Sequence, residues 1–169
     1  MSLIVSDGKH VDGRPLMGAS ALPWLATSAV VVAADHATKY WALSTLPEHT
    51  AVPVFASWWN WYRFNNTGAA FSLLSAVGGW QRHALAFFAL GTVVLLTFRL
   101  ARLPRNAWQP ALAYTLIIGG ALSNALDRIV RGHVVDFIQW YWRDGFWPAF
   151  NLADVAIVCG AAFLVRGIR

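Results

Sequence analysis

Long uncharged runs constrain this chain more than any other feature. Residues 16–34 carry no charge over 19 positions, and residues 106–126 carry none over 21. Residues 146–165 form a run of 20 broken only by Asp154, and residues 84–98 add 15 more, extendable through His83 towards Trp80. A helix needs roughly 17–25 mostly apolar residues to cross the hydrocarbon core of a bilayer. Four buried helices of a soluble globule are the competing explanation. They fail on composition, because 57% of the 169 residues are hydrophobic and 12% are charged, about half the charge usual in soluble domains. Intrinsic disorder fails for the same reason.

The sequence therefore predicts one membrane-embedded, mainly α-helical domain over residues 1–169, with spans at about 16–43, 81–98, 106–129 and 146–165. Residues 1–15 form a polar tail. The tail and first run imitate a signal peptide, but the apolar stretch exceeds the ~7–15 residues of an h-region. An uncleaved first span is expected.

Four spans put both termini on one side. That side collects Lys9, Arg14, Arg99, Arg102, Arg105, Arg166 and Arg169 against Asp7 and Asp12. The other side balances Lys39, Arg63, Arg82, Arg128, Arg131 and Arg143 against Asp35, Glu48, Asp127, Asp136, Asp144 and Asp154. The short loop at 99–105 has three arginines and no acid, which places both termini in the cytoplasm. Eight of ten tryptophans fall on the outer side, all but Trp24 and Trp108. Indoles favour the headgroup region, so the outer loops should rest in the interface. The segment 58–64 is aromatic and strand-like, and predicts a small sheet on that face.

Polar residues then stand where lipid is expected. Asp35, Asp127, Asp136 and Asp154 lie inside or beside apolar runs, and an ionisable group there is a functional candidate. Asp35 and Asp154 each lie about 12 Å from the outer end of their expected helices at 1.5 Å per residue. Asn124 and Asp127 share a helix face, and Asn151 and Asp154 repeat the spacing. Four carboxylates, two amides, Lys39 and Arg128 thus converge on one outer region. One explanation is a salt-bridge network that only fixes helix register, with Asp127 on Arg128 or Lys39. The other is chemistry. Two carboxylates ~4 Å apart repel by about 4 kcal/mol at an effective dielectric near 20, so a pair would share one proton. That is the apparatus of aspartic proteolysis. Spacing alone does not say which pair. Small residues four apart, Gly119 with Ser123 and Ala156 with Gly160, suit close helix packing.

Other chemistries find less support. There is no Gly-x-Ser-x-Gly elbow. The single cysteine, Cys159, lies in an apolar run and reads as an inert thiol. The five histidines form no His-Glu-x-x-His pattern, so neither metal nor cofactor is expected. No basic face suits nucleic acid. Paired repeats and broken helices would favour a proton-coupled transporter; the sequence shows no internal repeat, and four spans are few. A silent packing protein is the remaining rival.

Five blocks in order resemble the lipoprotein signal peptidase (signal peptidase II) family. They are Asp35-His36-Ala37-Thr38-Lys39, the stretch 66–72 from Asn66 to Ser72, the stretch 119–128 from Gly119 to Arg128, the stretch 132–138 from Gly132 to Ile138, and Phe150-Asn151-Leu152-Ala153-Asp154. The resemblance implies a four-helix aspartic endopeptidase of the bacterial cytoplasmic (inner) membrane, with an outer-face sheet and an extracytoplasmic active site. It implies Asp136 and Asp154 as catalytic residues, with Asp35, Lys39, Asn66, Asn124, Asp127, Arg128 and Asn151 supporting them. It implies cleavage of diacylglyceryl-modified prolipoproteins before the lipidated cysteine. The expected surroundings are membrane lipids, and the expected state is a monomer. Ser123 departs from the glycine usual in the family and should only tighten packing. Phe71 and the segment 58–61 are candidates to grip substrate. Asn66 is a candidate for its backbone, or a plain turn residue in Asn-Thr-Gly.

Overall fold

A computed structural model describes residues 20–55, 58–68 and 79–167. Pro23 lies in a 3-10 turn, Leu22–Trp24, that leads into helix α1, Leu25–Thr45, a place where a missing N–H costs nothing. Strands β1, Ala51–Phe55, and β2, Trp59–Asn66, follow. Helices α2, Gln81–Arg102, and α3, Trp108–Val130, come next. Strands β3, Val134–Trp142, and β4, Gly145–Phe146, precede helix α4, Leu152–Gly167.

Helix α3 is central and packs against α1, α2 and α4. Its buried face is small or polar: Ala111, Ala113, Thr115, Gly119, Gly120, Ser123, Asn124 and Asp127 among others. Large apolar side chains point outward instead, with Phe87 81% and Phe88 75% exposed. Small residues inside and large ones outside suit lipid as the solvent, because lipid supplies no hydrophobic drive and helices gain by close approach. The two small-residue pairs do this. A Cβ on Gly119 would meet Val31 of α1, and a Cβ on Gly160 would meet the Ala113 carbonyl of α3.

Among the described residues, only α2 is long and apolar enough by itself to cross a membrane. Helices α1 and α3 are diluted by the polar groups they carry inward, and α4 has 16 residues. The fourth uncharged run is not all helix. Phe146 pairs with Tyr141 in the sheet, and Phe150 exchanges hydrogen bonds with Ile138. The helix begins only at Leu152, so Asp154 occupies its first turn, not a position some 12 Å along it.

The four strands form one antiparallel sheet in the order β1-β2-β3-β4. Ala42 of α1 and Leu46 just past its end pack against Phe137, with Trp61 and Ile138 around them, and dock the sheet on one end of the bundle. The β2–β3 register shifts between Trp61 and Phe64. Arg63, inside that bulge, donates to the Leu43 and Leu46 carbonyls at 3.1 Å each. It thereby satisfies the open end of α1, as a cation at a helix C-terminus should.

Candidate active site

Three elements meet where the sheet joins the bundle. Past the bulge, β2 and β3 pair Phe64 with Asp136 and Asn66 with Val134. Asn66 and Asp136 are therefore diagonal neighbours on one face, and Asn66 Nδ2 donates to Asp136 Oδ2 at 2.9 Å. Asn66 Oδ1 also accepts from the Gly68 amide at 3.0 Å. It is both the turn residue and a partner of the carboxylate.

The start of α4 is a reciprocal cap. Asn151 Oδ1 accepts from the Asp154 amide at 3.0 Å, and Asp154 Oδ2 accepts from the Asn151 amide at 3.1 Å. This is the capping-box arrangement, with aspartate in the place of glutamate. Asn151 Nδ2 then reaches Asp136 Oδ1 at 2.7 Å. One residue thus touches both carboxylates. The remaining Asp154 oxygen, Oδ1, accepts from Asn124 Nδ2 on α3 at 2.8 Å. The wholly buried Asn151 accounts for why α4 starts where it does and why Asp136 faces it.

The other two carboxylates differ in kind. Lys39 Nζ lies 2.6 Å from Asp35 Oδ2, 2.7 Å from Asp127 Oδ2 and 3.0 Å from Asn124 Oδ1. All three charged side chains are fully buried. Arg131 donates to Asp127 Oδ1 as well. Asp35 Oδ1 accepts from the Ala153 amide at 2.9 Å, which fills a second open donor at the start of α4. The register network expected for Asp35, Asp127 and a base is therefore present. Its base is Lys39, helped by Arg131, and not Arg128.

Arg128 instead donates to the Asn124 and Gly68 carbonyls at 3.2 Å each. It lines a cleft of about 530 Å³ together with Asn66, Asn124, Asp136 and Asp154. Trp140, Trp147 and Phe150 form its aromatic wall. The residues 58–61, expected to grip substrate, do not line it. Trp59 and Trp61 meet edge to face with ring centres 4.7 Å apart, and Trp61 also meets Trp41 and Phe137. Phe71 lies outside the described residues.

Donor type separates the four aspartates. Asp35 and Asp127 are neutralised by a lysine. Asp136 and Asp154 are held by amides, which fix oxygens without cancelling charge. Burial, and next the charge on Asp154, push the Asp136 carboxyl from 3.8 up to about 7. The amides of Asn66 and Asn151 and the charge of Lys39 pull the other way and do not prevail. Such a pair can hold one proton between two carboxylates near neutrality. Sequence reasoning missed Ser123 and Arg131 as partners of the buried acids. Arg131 lies four residues after Asp127, a spacing that was legible. Ser123 gave no local signal.

The geometry can be set beside known proteins. Residues 27–168 match the family described as signal peptidase (SPase) II. A lipoprotein signal peptidase of Xylella fastidiosa strain 9a5c is 57% identical over 142 residues, covering 84% of this chain and 85% of the relative. One from Xanthomonas oryzae pv. oryzae strain PXO99A is 56% identical over 142 residues, covering 84% and 86%. The fold is similar to that of a bacterial membrane enzyme solved in meso at 2.3 Å resolution. That similarity has a TM-score of 0.75 and 26% identity, and covers 86% of this chain and 87% of the other.

Proposed function

Because this chain belongs to the signal peptidase II family, we propose that it cleaves diacylglyceryl-modified prolipoproteins before the lipidated cysteine, with Asp136 and Asp154 as an aspartic dyad. The observation that carries this reading is Asn151, which donates to Asp136 Oδ1 through its side chain and to Asp154 Oδ2 through its backbone. It ties the buried Asp136 carboxylate to the half-buried Asp154 carboxylate, and no cation among the described residues is bonded to either.

The charged member takes a proton from water, and the hydroxide equivalent attacks the scissile carbonyl carbon. The protonated member gives its proton to the carbonyl oxygen. Collapse of the tetrahedral diol returns a proton to the leaving nitrogen and breaks the C–N bond. The products are a carboxylate on the signal peptide and a free amine on the cysteine. Asn66 and Asn124 hold the outer oxygens, and Arg128 presents a guanidinium at the cleft for substrate carbonyls. Asp35, Lys39 and Asp127 fix α1, α3 and α4 beneath them.

The reading includes four membrane spans, α1 to α4, with both termini cytoplasmic. The end of α2 that carries Arg99 and Arg102 packs through Leu100 on the start of α1, whereas the sheet docks at the far end of α1, and this supports the orientation. A lipid-anchored substrate then brings its scissile bond to the outer surface, where the cleft opens.

The test uses the full chain in lipid with a diacylglyceryl-modified prolipoprotein, followed by mass. Wild type is expected to lose the signal peptide before the modified cysteine. Asp136→Asn and Asp154→Asn, folded by circular dichroism, are expected to lose cleavage by at least about 1,000-fold. Cleavage that survives either substitution refutes the dyad.

A further inference from the structure

Ser123 is wholly buried, and packing alone does not explain its hydroxyl. A glycine or alanine would pack α3 against α1 there without adding a polar group that must find a partner. The hydroxyl donates to Asp35 Oδ2 at 2.6 Å, the short distance of a charge-assisted bond. Oδ1 of the same carboxylate holds the Ala153 amide at 2.9 Å, and Ala153 directly precedes Asp154.

We propose that Ser123 is a positioning residue for the reaction: its hydroxyl fixes the Asp35 carboxylate, which holds the first turn of α4 and thereby the placement of Asp154. The assignment rests on the dyad reading above. The carboxylate torsion of aspartate is soft, so its partners set its orientation. Lys39 alone sets it poorly, because its three N–H groups are divided among Asp35, Asp127 and Asn124. Ser123 supplies a donor committed to Asp35. Its backbone neighbour Asn124 holds the Asp154 Oδ1 atom, so one segment of α3 reaches Asp154 by two routes. The first route runs through Asp35 and the Ala153 amide, the second through the Asn124 side chain.

Neither Ser123, Asp35 nor Ala153 lines the cleft. Loss of the hydroxyl should therefore leave substrate binding intact and misplace only Asp154. The experiment measures kcat and KM for diacylglyceryl-modified prolipoprotein cleavage in lipid by wild type, Ser123→Ala and Ser123→Gly. Expected is a fall in kcat of about tenfold in both, with KM within about twofold and an unfolding temperature lowered by only a few degrees. Ser123→Thr, which keeps a hydroxyl, should recover most of the loss, and if its methyl prevents folding the Asp35→Asn background decides. In that background Ser123→Ala should cost little more, because the bond it removes has already lost its charged acceptor. Wild-type kcat in Ser123→Ala overturns the inference. So does a full tenfold further loss in the Asp35→Asn background. Asp154→Asn separates the two levels. If it still cleaves, the dyad reading falls and the positioning role with it. If it is inactive while Ser123→Ala is normal, only the positioning role falls.

Discussion

Replacing Asp136 with asparagine should abolish cleavage and also flatten the dependence of stability on pH. Asp136 is 2% exposed, and its carboxyl rises from 3.8 to about 7 in the folded chain. Burial is the main cause, and the charge on Asp154 is second. An acid raised in this way binds its proton more tightly when folded. Its contribution is fully present below about pH 4 and is lost as pH rises through about 7. The full difference of about three units corresponds to about 4 kcal/mol. Between pH 5 and pH 8 the loss is about 2–3 kcal/mol, since part has gone by pH 5. At 2–4 °C per kcal/mol for a chain of this size, the wild type should lose about 5–10 °C in Tm. The assay is thermal unfolding followed by tryptophan fluorescence, in one detergent, at fixed ionic strength and scan rate. Every other titratable group is common to both proteins, so its contribution cancels in the difference. Asp136→Asn has no proton to lose and should show little of that fall. An undiminished fall in the variant would refute the reasoning, because the titrating group would then lie elsewhere.

Three further substitutions test the scaffold beneath the proposed dyad. Lys39→Met leaves Asp35 and Asp127 buried around an apolar side chain. It should cost about 3–5 kcal/mol, and the folded, monodisperse fraction in size-exclusion chromatography should collapse unless Asp35→Asn is added. Gly120→Ala drives a Cβ into the Ala153 carbonyl oxygen. Overpacking of this kind costs about 1–3 kcal/mol, so Tm should drop, and kcat with it as the start of α4 is pushed away from α3. Asn151→Ala removes the cap of α4, worth about 1 kcal/mol, and the side-chain bond to Asp136. Misplacement on the scale of 1 Å can cost about 100-fold, so cleavage should fall by that order while Tm falls only by a few degrees.

The helices were legible because their cause is local. Uncharged runs near twenty residues long can satisfy their backbone within lipid only as helix, and the starts and ends of α2 and α3 fall close to those expected. The start of α4 was not legible, because residues 146–150 are as apolar as a helix and become sheet only by pairing with β3. The Asn-x-x-Asp spacing at 151 to 154 carried the cap in plain view, yet the same two residues also fit a shared helix face. The candidate site was legible as a set of residue types. It was not legible as a set of bonds. Whether Asp127 takes Lys39 or Arg128 depends on where α1 crosses α3, and a crossing leaves only small residues in the sequence, here Gly119 and Ser123 against Val31 and Asp35.

That crossing also explains why seven aspartates and a single glutamate suit this chain. Close helix approach leaves little depth, and the shorter carboxylate reaches a backbone amide one helix away, as Asp35 does at Ala153. It also closes a cap on its own turn, as Asp154 does at Asn151. A methylene more would push both carboxylates past the donors that hold them. On the proposed reading the charges in the core then balance. Asp35 and Asp127 face Lys39 and Arg131, and a dyad with one shared proton faces Arg128 across the cleft. Removing that proton adds a second negative charge with no cation bonded to it, which is why the water-activating form is the singly protonated one. The polar core is costly to bury, and the cost is offset only while every carboxylate oxygen keeps its donor. On the proposed reading, the same donors that make the core stable therefore also aim the two carboxylates at one water.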